Sequence, residues 1–283
     1  MTFHEPMLVE HAERPFDDER YVFEPLIDGH RLLLSLNRGR VALYTRHHYE
    51  VTQQYPELHN VPVVEACDVV LDGEVARTDE DGRFDFDLLM ERFKATKHTK
   101  IRELSKTKPV HYFVFDILYY NGEDMRLRPL WERQQLLHSI LQPNAFYSLM
   151  LSVEGKGKAL FELAQQRNLG GIVAKNKHSK YVGKRSLDWL KIINYTYVNV
   201  DLVGYRKNQF GWLAQYQGQT VGVIELAVPP AARRAFFSIV EQIKCAEDRD
   251  FIYIHPHFKA QVRARHWSKD GKLRAPEFVE FVV

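Results

Sequence analysis

Residues 23–31 read FEPLIDGHR. Glu24, Asp28, Gly29 and Arg31 form a charged frame around a turn, and its centre is one plain leucine, Leu26. A carboxylate, a turn glycine and an arginine packed this closely usually serve a reacting group, and leucine has no group that reacts. What surrounds the stretch decides how it is read. Ahead of it YVFEPL, and after it HRLLLSLN and RVALYTR, are short runs of apolar or alternating residues separated by DGH and NRG, the pattern of strands joined by tight turns.

The pattern continues along the chain. DVVLDGEVART and VHYFVFDILYY read as further strands, with DEDGR and YNGED as turn material. FDLLMERFKA, RPLWERQQLLHSILQ (opened by Pro129) and GKALFELAQQRN read as helices, and Gly170 suits a C-cap for the third. Strands and helices mix without regular βαβ alternation, so the first part is expected to be an α+β domain of largely antiparallel sheets with flanking helices. After Asn194 the texture changes. VNVDLVGYRK, GWLAQYQGQ, TVGVIELAV and DFIYIHPHF with a single helix, AARRAFFSIVEQIK, describe a small β-barrel of the OB-fold kind. The expected domains are 1–195 and 196–283.

The bulk numbers fit a two-domain globular protein. The chain has 283 residues, 45% hydrophobic and 27% charged. No apolar run is long enough to span a bilayer, and the polar start is not a secretory signal. Cys67 and Cys245 are far apart and lack CxxC spacing, which argues against a disulfide framework or zinc ribbon and suits a reducing cytosol. The formal net charge of +2 hides an asymmetry: residues 92–108 carry +6, and residues 175–191 and 259–274 carry +5 each, so the rest of the chain is strongly acidic. Three basic runs on an acidic body fit a surface that follows phosphates. Their plainer reading is three solvated faces that never meet.

Several short motifs occur in order. They are EPLIDGHR (24–31), LYTR (43–46), LDGEV (71–75), VFD (114–116), GGIVAK (170–175), WLK (189–191) and GKLRAPEF (271–278). Together they resemble the motif series of ATP-dependent DNA ligases and capping enzymes, and are most similar to the ligase module of bacterial end-joining DNA ligases. Each fragment alone is weak; seven in sequence are specific. The resemblance implies a nucleotidyltransferase (adenylation) domain followed by an OB-fold domain. It also implies ATP, carried as AMP, and Mg2+ or Mn2+ as cofactors. Position 26, with Asp28 beside it, is where the family keeps its nucleophilic lysine. Glu24, Arg31, Lys175 and Lys191 would hold the nucleotide and its α-phosphate, with Arg46 reaching the 5′-phosphate of the nick. Phe115 would stack on adenine, and Glu74 would contact the ribose or hold a metal through water. Arg274 would approach the departing pyrophosphate when the domains rotate about a hinge near 194–199. With so little chain ahead of Glu24, DNA is expected to be held by the two domains themselves.

The chemistry accounts for these residue types. An amine that attacks phosphorus needs neighbouring cations to depress its pKa, and the same cations stabilise the crowded charge of the displacement. An arginine fork matches phosphate oxygens. Pattern alone also allows plainer roles: Phe115 and Trp189 as core, Glu74 as a strand-end acid, Lys175 and Lys191 as solvated lysines. His47, His48, His255 and His257 have no accompanying ligand cluster and read as surface or phosphate-contact residues.

The sequence departs from the family pattern at three places. Leu26 replaces the nucleophile, and the nearest lysine, Lys94, is far along the chain. Gly170 stands where the family has a glutamate that helps hold metal. Ile193 stands where many relatives have another lysine. The resemblance therefore implies a DNA ligase scaffold that has lost self-adenylation. The expected partners are duplex DNA with nicks or ends and other end-joining proteins, with no membrane; the chain would act as a monomer in a bacterial cytoplasm, at the nucleoid. Two other readings stay open: a non-catalytic nick- or end-binding protein, and an RNA ligase or capping-type nucleotidyltransferase.

Overall fold

A computed structural model of the chain describes residues 4–79, 84–268 and 270–282, and divides into a unit ending at Ile193 and a unit beginning at Asn194. The first contains strands β1 (Leu8–His11), β2 (Asp18–Pro25), β3 (His30–Asn37), β4 (Arg40–Thr45), β5 (Asp68–Ala76), β6 (His111–Tyr120), β7 (Glu123–Asp124), β8 (Tyr147–Leu149), β9 (Val153–Gly155), β10 (Gly171–Asn176) and β11 (Arg185–Ile193). Its helices are α1 (Phe86–Phe93), α2 (His98–Thr107), α3 (Leu130–Ile140) and α4 (Gly157–Gln166).

Two sheets make up this unit. One has the order β1-β11-β10-β2-β9; the other runs β4-β3-β5-β6-β7, with β8 beside β6. Among the described residues only β1–β11 and β6–β8 are parallel pairs in this unit, so its sheets are largely antiparallel as expected. Val22, Leu33, Val70, Phe115, Leu118 and Trp189 belong to one apolar cluster drawn from strands of both sheets. This explains why HRLLLSLN is a near-continuous apolar run rather than an alternating one: β3 is covered on both faces. A second cluster lies around Leu32, Leu34, Leu71, Tyr112 and Leu137, and a third joins α4 to β2 and β10 through Leu160, Phe23 and Ile172.

Turn chemistry sets the registers. Arg38–Gly39 joins β3 to β4 and Asn121–Gly122 joins β6 to β7; all four residues have positive φ, the type I′ geometry whose twist matches antiparallel strands. Asp85 caps α1, its carboxylate accepting from the Leu88 backbone N–H at 3.0 Å. Of the expected turn DEDGR, residues 80–83 lie outside the described residues, as does Lys269 of the third basic run.

The structure corrects one expectation and adds detail to two others. Gly170 does not cap α4: the left-handed position after that helix is Asn168, at φ 53°, and the Leu169 N–H donates to Ala164 O. The basic run 92–108 holds a helix, α2, which buries Ile101 and Leu104 and turns its charges outward. In the segment 194–199, expected to act as a hinge, strand already begins at Thr196.

The second unit is β12 (Thr196–Arg206), β13 (Trp212–Tyr216), β14 (Gln219–Ile224), α5 (Pro230–Val240), β15 (Lys244–Glu247), β16 (Phe251–Ala264) and β17 (Glu277–Val282). Its sheet has the order β14-β13-β12-β16-β15, with β17 paired to β16. Trp212, Phe236, Val262 and Phe278 anchor its core. This is the OB-fold region; among the described residues no ladder joins β14 to β15 to close a barrel. Gln217–Gly218 repeats the positive-φ turn between β13 and β14. Among the described residues no helix is long and apolar enough to cross a membrane.

Candidate nucleotide site

Motif residues of the first unit, Glu24, Arg31, Phe115, Lys175 and Trp189 among them, gather between its two sheets. On β10, Lys175 is registered with Val22 of β2 and Trp189 of β11, while Val173 is registered with Glu24 and Lys191. Directly opposed residues share a face and side chains alternate along a strand, so Glu24, Lys175, Trp189 and Lys191 lie on one face. The Leu26 N–H extends this ladder, donating to Gly171 O at 2.9 Å.

The second sheet contributes Arg31, Asp72, Glu74 and Phe115. Between Gly73↔Val114 and Asp72↔Asp116 the β5–β6 ladder shifts, which leaves Phe115 as an extra residue on β6. A bulge of this kind re-aims a side chain. Two motif glycines are fixed by close approach. A Cβ on Gly29 would lie 2.4 Å from Val75 O and 2.8 Å from Glu74 Cγ, and one on Gly73 would lie 2.5 Å from Phe113 O. The turn IDGH therefore seats the Glu74 strand directly against itself.

The geometry ties up several of the expected phosphate contacts. Arg31 points its fork at Asp72, with Nε to Oδ1 at 3.0 Å and one terminal nitrogen to Oδ2 at 2.6 Å. Its other terminal nitrogen donates to Met7 O at 2.6 Å. The Tyr181 hydroxyl also donates to Asp72 Oδ2, at 2.7 Å. Expected to hold phosphate, Arg31 is thus already engaged as a positioning residue, because a buried carboxylate demands the fork. Asp72 and Tyr181 escaped sequence reasoning; the only signals were the DGE acid and the tyrosine of KYVG.

Lys175 lies deep in the site, at 2% exposure. Its Nζ is 2.6 Å from Glu24 Oε2, and Gln134 donates to the other Glu24 oxygen at 3.2 Å. The ammonium lies 3.7 Å from the Phe115 ring centroid and 4.3 Å from that of Trp189. Burial lowers the Lys175 pKa and raises that of Glu24, and their mutual attraction opposes both shifts. Phe115 is 9% exposed and belongs to the core cluster, which fits its reading as core, and its ring face is covered by a lysine. Asp116, the acid of VFD, is taken by Arg133, which donates twice at 2.8 Å.

At the mouth of the site burial pushes the Glu74 carboxyl up to about 8, with Asp72 and Asp28 adding to the rise and Arg31 and Arg46 opposing it. Arg46 is exposed, as are His47 and His48. Lys191 is partly exposed on β11, and Asp28 is half-buried in the turn. Arg274 is an exposed residue of the second unit, its N–H donating to His266 O.

The expected metal position does not fit a resident ion. Gly170 brings no side chain, Asp72 is engaged by Arg31 and Tyr181, and burial disfavours the charged form of Glu74. Among the described residues no group of three or more His, Cys, Asp or Glu could hold a metal.

Leu26, expected at the nucleophile's position, has Gly170 as its neighbour. A Cβ on Gly170 would meet Leu26 O at 3.6 Å and Leu26 Cδ2 at 3.7 Å. Ile193, the third departure, is buried at 9% exposure.

Comparison with known proteins identifies the family. Residues 6–192 match the family model described as ATP dependent DNA ligase domain. The chain is similar to the SPbeta prophage-derived DNA ligase-like protein LigB of Bacillus subtilis, with 38% identity over 99% of this chain and all of that one. It is also similar to the multifunctional non-homologous end joining protein LigD of Mycobacterium bovis, with 24% identity over 95% of this chain and 37% of that much longer protein. In structure it resembles the ligase domain of M. tuberculosis LigD (TM-score 0.60, 22% identity, 99% of this chain and 95% of that one). A Lig E DNA ligase gives a TM-score of 0.68 at 13% identity, covering 99% and 100% of the two chains.

Proposed function

The chain belongs to the ATP-dependent DNA ligase family, and from that premise we propose that it joins DNA strands whose 5′-phosphate already carries adenylate, having lost the ability to load AMP onto itself. One observation carries this reading: the side chain at the nucleophile's position is an aliphatic leucine, packed beside a glycine that offers no carboxylate. A phosphoramidate needs an amine. Leu26 has none, and guanidinium groups such as those of Arg31 and Arg38 stay protonated and are poor nucleophiles.

The joining step makes no use of that amine. The 3′-hydroxyl attacks the 5′-phosphorus, an O–P bond forms, the phosphoanhydride bond to AMP breaks, and AMP leaves. In this reading the chain's residues position the ends and neutralise charge. Phe115 offers a ring face to the adenine once Lys175 withdraws. Lys175 and Lys191 then face the adenylate phosphate from one side of the sheet. Arg46, exposed at the mouth, takes the 5′-phosphate. The Arg31–Asp72–Tyr181 cluster holds the Glu74 strand in place and touches no substrate. Protonated Glu74 donates a hydrogen bond to a ribose hydroxyl. Arg274 keeps its proposed role toward pyrophosphate only in a chain whose nucleophile has been restored.

A nicked duplex pre-adenylated at its 5′-phosphate, in magnesium buffer without ATP, tests the reading. A joined strand from that substrate, with none from an unadenylated nick plus ATP, is the expected result. DNA that binds without joining in either case favours a second reading, a nick- or end-binding protein. The burial of Lys175 against Phe115, which covers the base-stacking face, supports that alternative.

A further inference from the structure

The nucleotide site makes no use of His255 and His257, two exposed residues of β16 in the second unit. We infer that they form a chelating pair for a late first-row transition-metal dication such as Zn2+. The inference is independent of the joining reading. It concerns other residues, and a softer class of ion than the Mg2+ or Mn2+ expected with ATP.

The fold sets these side chains apart from their neighbours. β16 pairs with β15 at residues 252–254 and with β17 at residues 259–263, and the two histidines fall in the gap between those ladders. On its other edge β16 pairs with β12, where Leu202 is registered with Phe258 and Gly204 with Tyr253. Two steps along β12 thus match five along β16. The surplus is a bulge, and a bulge re-aims side chains out of strict alternation. Two further features restrain the segment. The His255 N–H donates to Ile243 O at 2.9 Å, just ahead of β15. The residue between the histidines is a proline, a type whose φ is fixed by its ring. The backbone that carries both rings is therefore pre-organised, which lowers the entropy lost when an ion gathers them.

The rings have the spacing that one ion requires. Their centroids are 5.5 Å apart and their planes are perpendicular. Zinc holds an imidazole nitrogen at about 2 Å, so two imidazoles meeting it at the tetrahedral angle have centroids about 5 Å apart. Among the described residues neither ring has a hydrogen-bond or ion-pair partner, so the nitrogens are unspent. His47 shows the contrast: its Nε2 accepts from Arg46 Nε at 3.0 Å. Lys244, opposite Ile254 on β15, turns its ammonium to Glu241. No third His, Cys, Asp or Glu joins the pair among the described residues. The protein would thus supply two ligands and water the rest, which makes the site open and exchangeable. Imidazole suits Zn2+, Cu2+ and Ni2+, whereas Mg2+ keeps its waters and prefers oxygen.

The test is calorimetric titration of the full chain, stripped with EDTA and dialysed, with Zn2+. One Zn2+ per chain is expected, with no response to Mg2+ at the same concentration. His255→Gln and His257→Gln should each weaken Zn2+ binding about tenfold or more, because each removes one of two ligands. His47→Gln/His48→Gln, which removes two imidazoles elsewhere, should bind as the parent does. Thermal melting checks that each variant folds. In the parent and the control Zn2+ should also raise the melting midpoint, since it binds the folded chain. Edge-to-face packing gives rings a similar separation without a metal, so Cu2+ supplies a second readout. Its EPR spectrum should show two nitrogen couplings in the parent and one in either single variant. No Zn2+ bound by the parent, a single variant that binds as the parent does, or loss of binding in the control would each overturn the inference. So would a Cu2+ spectrum with one nitrogen in the parent.

Discussion

Leu26 and Gly170 are neighbours in the fold: a Cβ placed at position 170 would stand 3.6 Å from Leu26 O and 3.7 Å from Leu26 Cδ2. Two of the three departures from the family pattern, 144 residues apart in sequence, thus lie side by side. The contact distances are ordinary, and Gly170 does not adopt a left-handed φ. A side chain can therefore branch from position 170 without backbone strain.

That relationship gives the first prediction. With α-labelled ATP, the unsubstituted chain should form no covalent protein–AMP. Leu26→Lys should form some, and Leu26→Lys/Gly170→Glu at least tenfold more, since the glutamate supplies the acid missing beside the new amine. The label should map to position 26. A double variant no better than Leu26→Lys alone would show that the second departure is neutral.

How much of this could be read beforehand depended on whether a feature is local. The strands of EPLIDGHR, LDGEV and VFD were legible because apolar pattern and turn residues lie within a few positions of each other. β1 was not, because LVEH becomes a strand only by pairing in parallel with β11, nearly 180 residues away. α2 was hidden by its charges; Ile101 and Leu104, three apart, are its only buried apolar residues. At the site, the residue types were legible and their engagement was not. Nothing near Arg31 indicates that Asp72 and Met7 have already claimed its donors, or that Lys175 lies over Phe115.

The Glu24–Lys175 pair is buried on both sides, at 3% exposure each. Breaking it from one side leaves an uncompensated charge, which typically costs about 3–5 kcal/mol. Lys175→Met alone should therefore lower the urea midpoint sharply. Glu24→Gln/Lys175→Met, which removes both charges, should recover most of the loss. Additive effects in this cycle would mean that the two groups do not interact in solution.

Lys175 also makes nucleotide binding competitive with its own aromatic contacts. A base that stacks on Phe115 must displace an ammonium 3.7 Å from that ring. Lys175→Ala is expected to bind adenosine about tenfold more tightly and ATP more weakly, because the lysine blocks the base but attracts the phosphates. Isothermal titration of both ligands measures the split. Tighter or weaker binding of both together would contradict it. The Trp189 contribution to fluorescence, isolated with Trp189→Phe, should change as the ammonium leaves its face.

Glu74 gives the chain a pH dependence of definite sign. Burial raises its folded-state pKa from 4.5 to about 8. Between those values the folded chain holds a proton that the unfolded chain has released. This contribution to stability is fully present below pH 4.5 and is lost as pH rises through 8. Glu74→Gln removes the titration and keeps the shape. The variant should match the parent at pH 5 and exceed it at pH 8.5, by something on the order of 2 kcal/mol given the partial exposure of the side chain. Urea unfolding at the two pH values measures the difference. A parent chain that gains stability from pH 5 to 8.5 relative to Glu74→Gln would mean the carboxylate is ionised and paired in the fold. The proton that we assign to the ribose contact would then be absent.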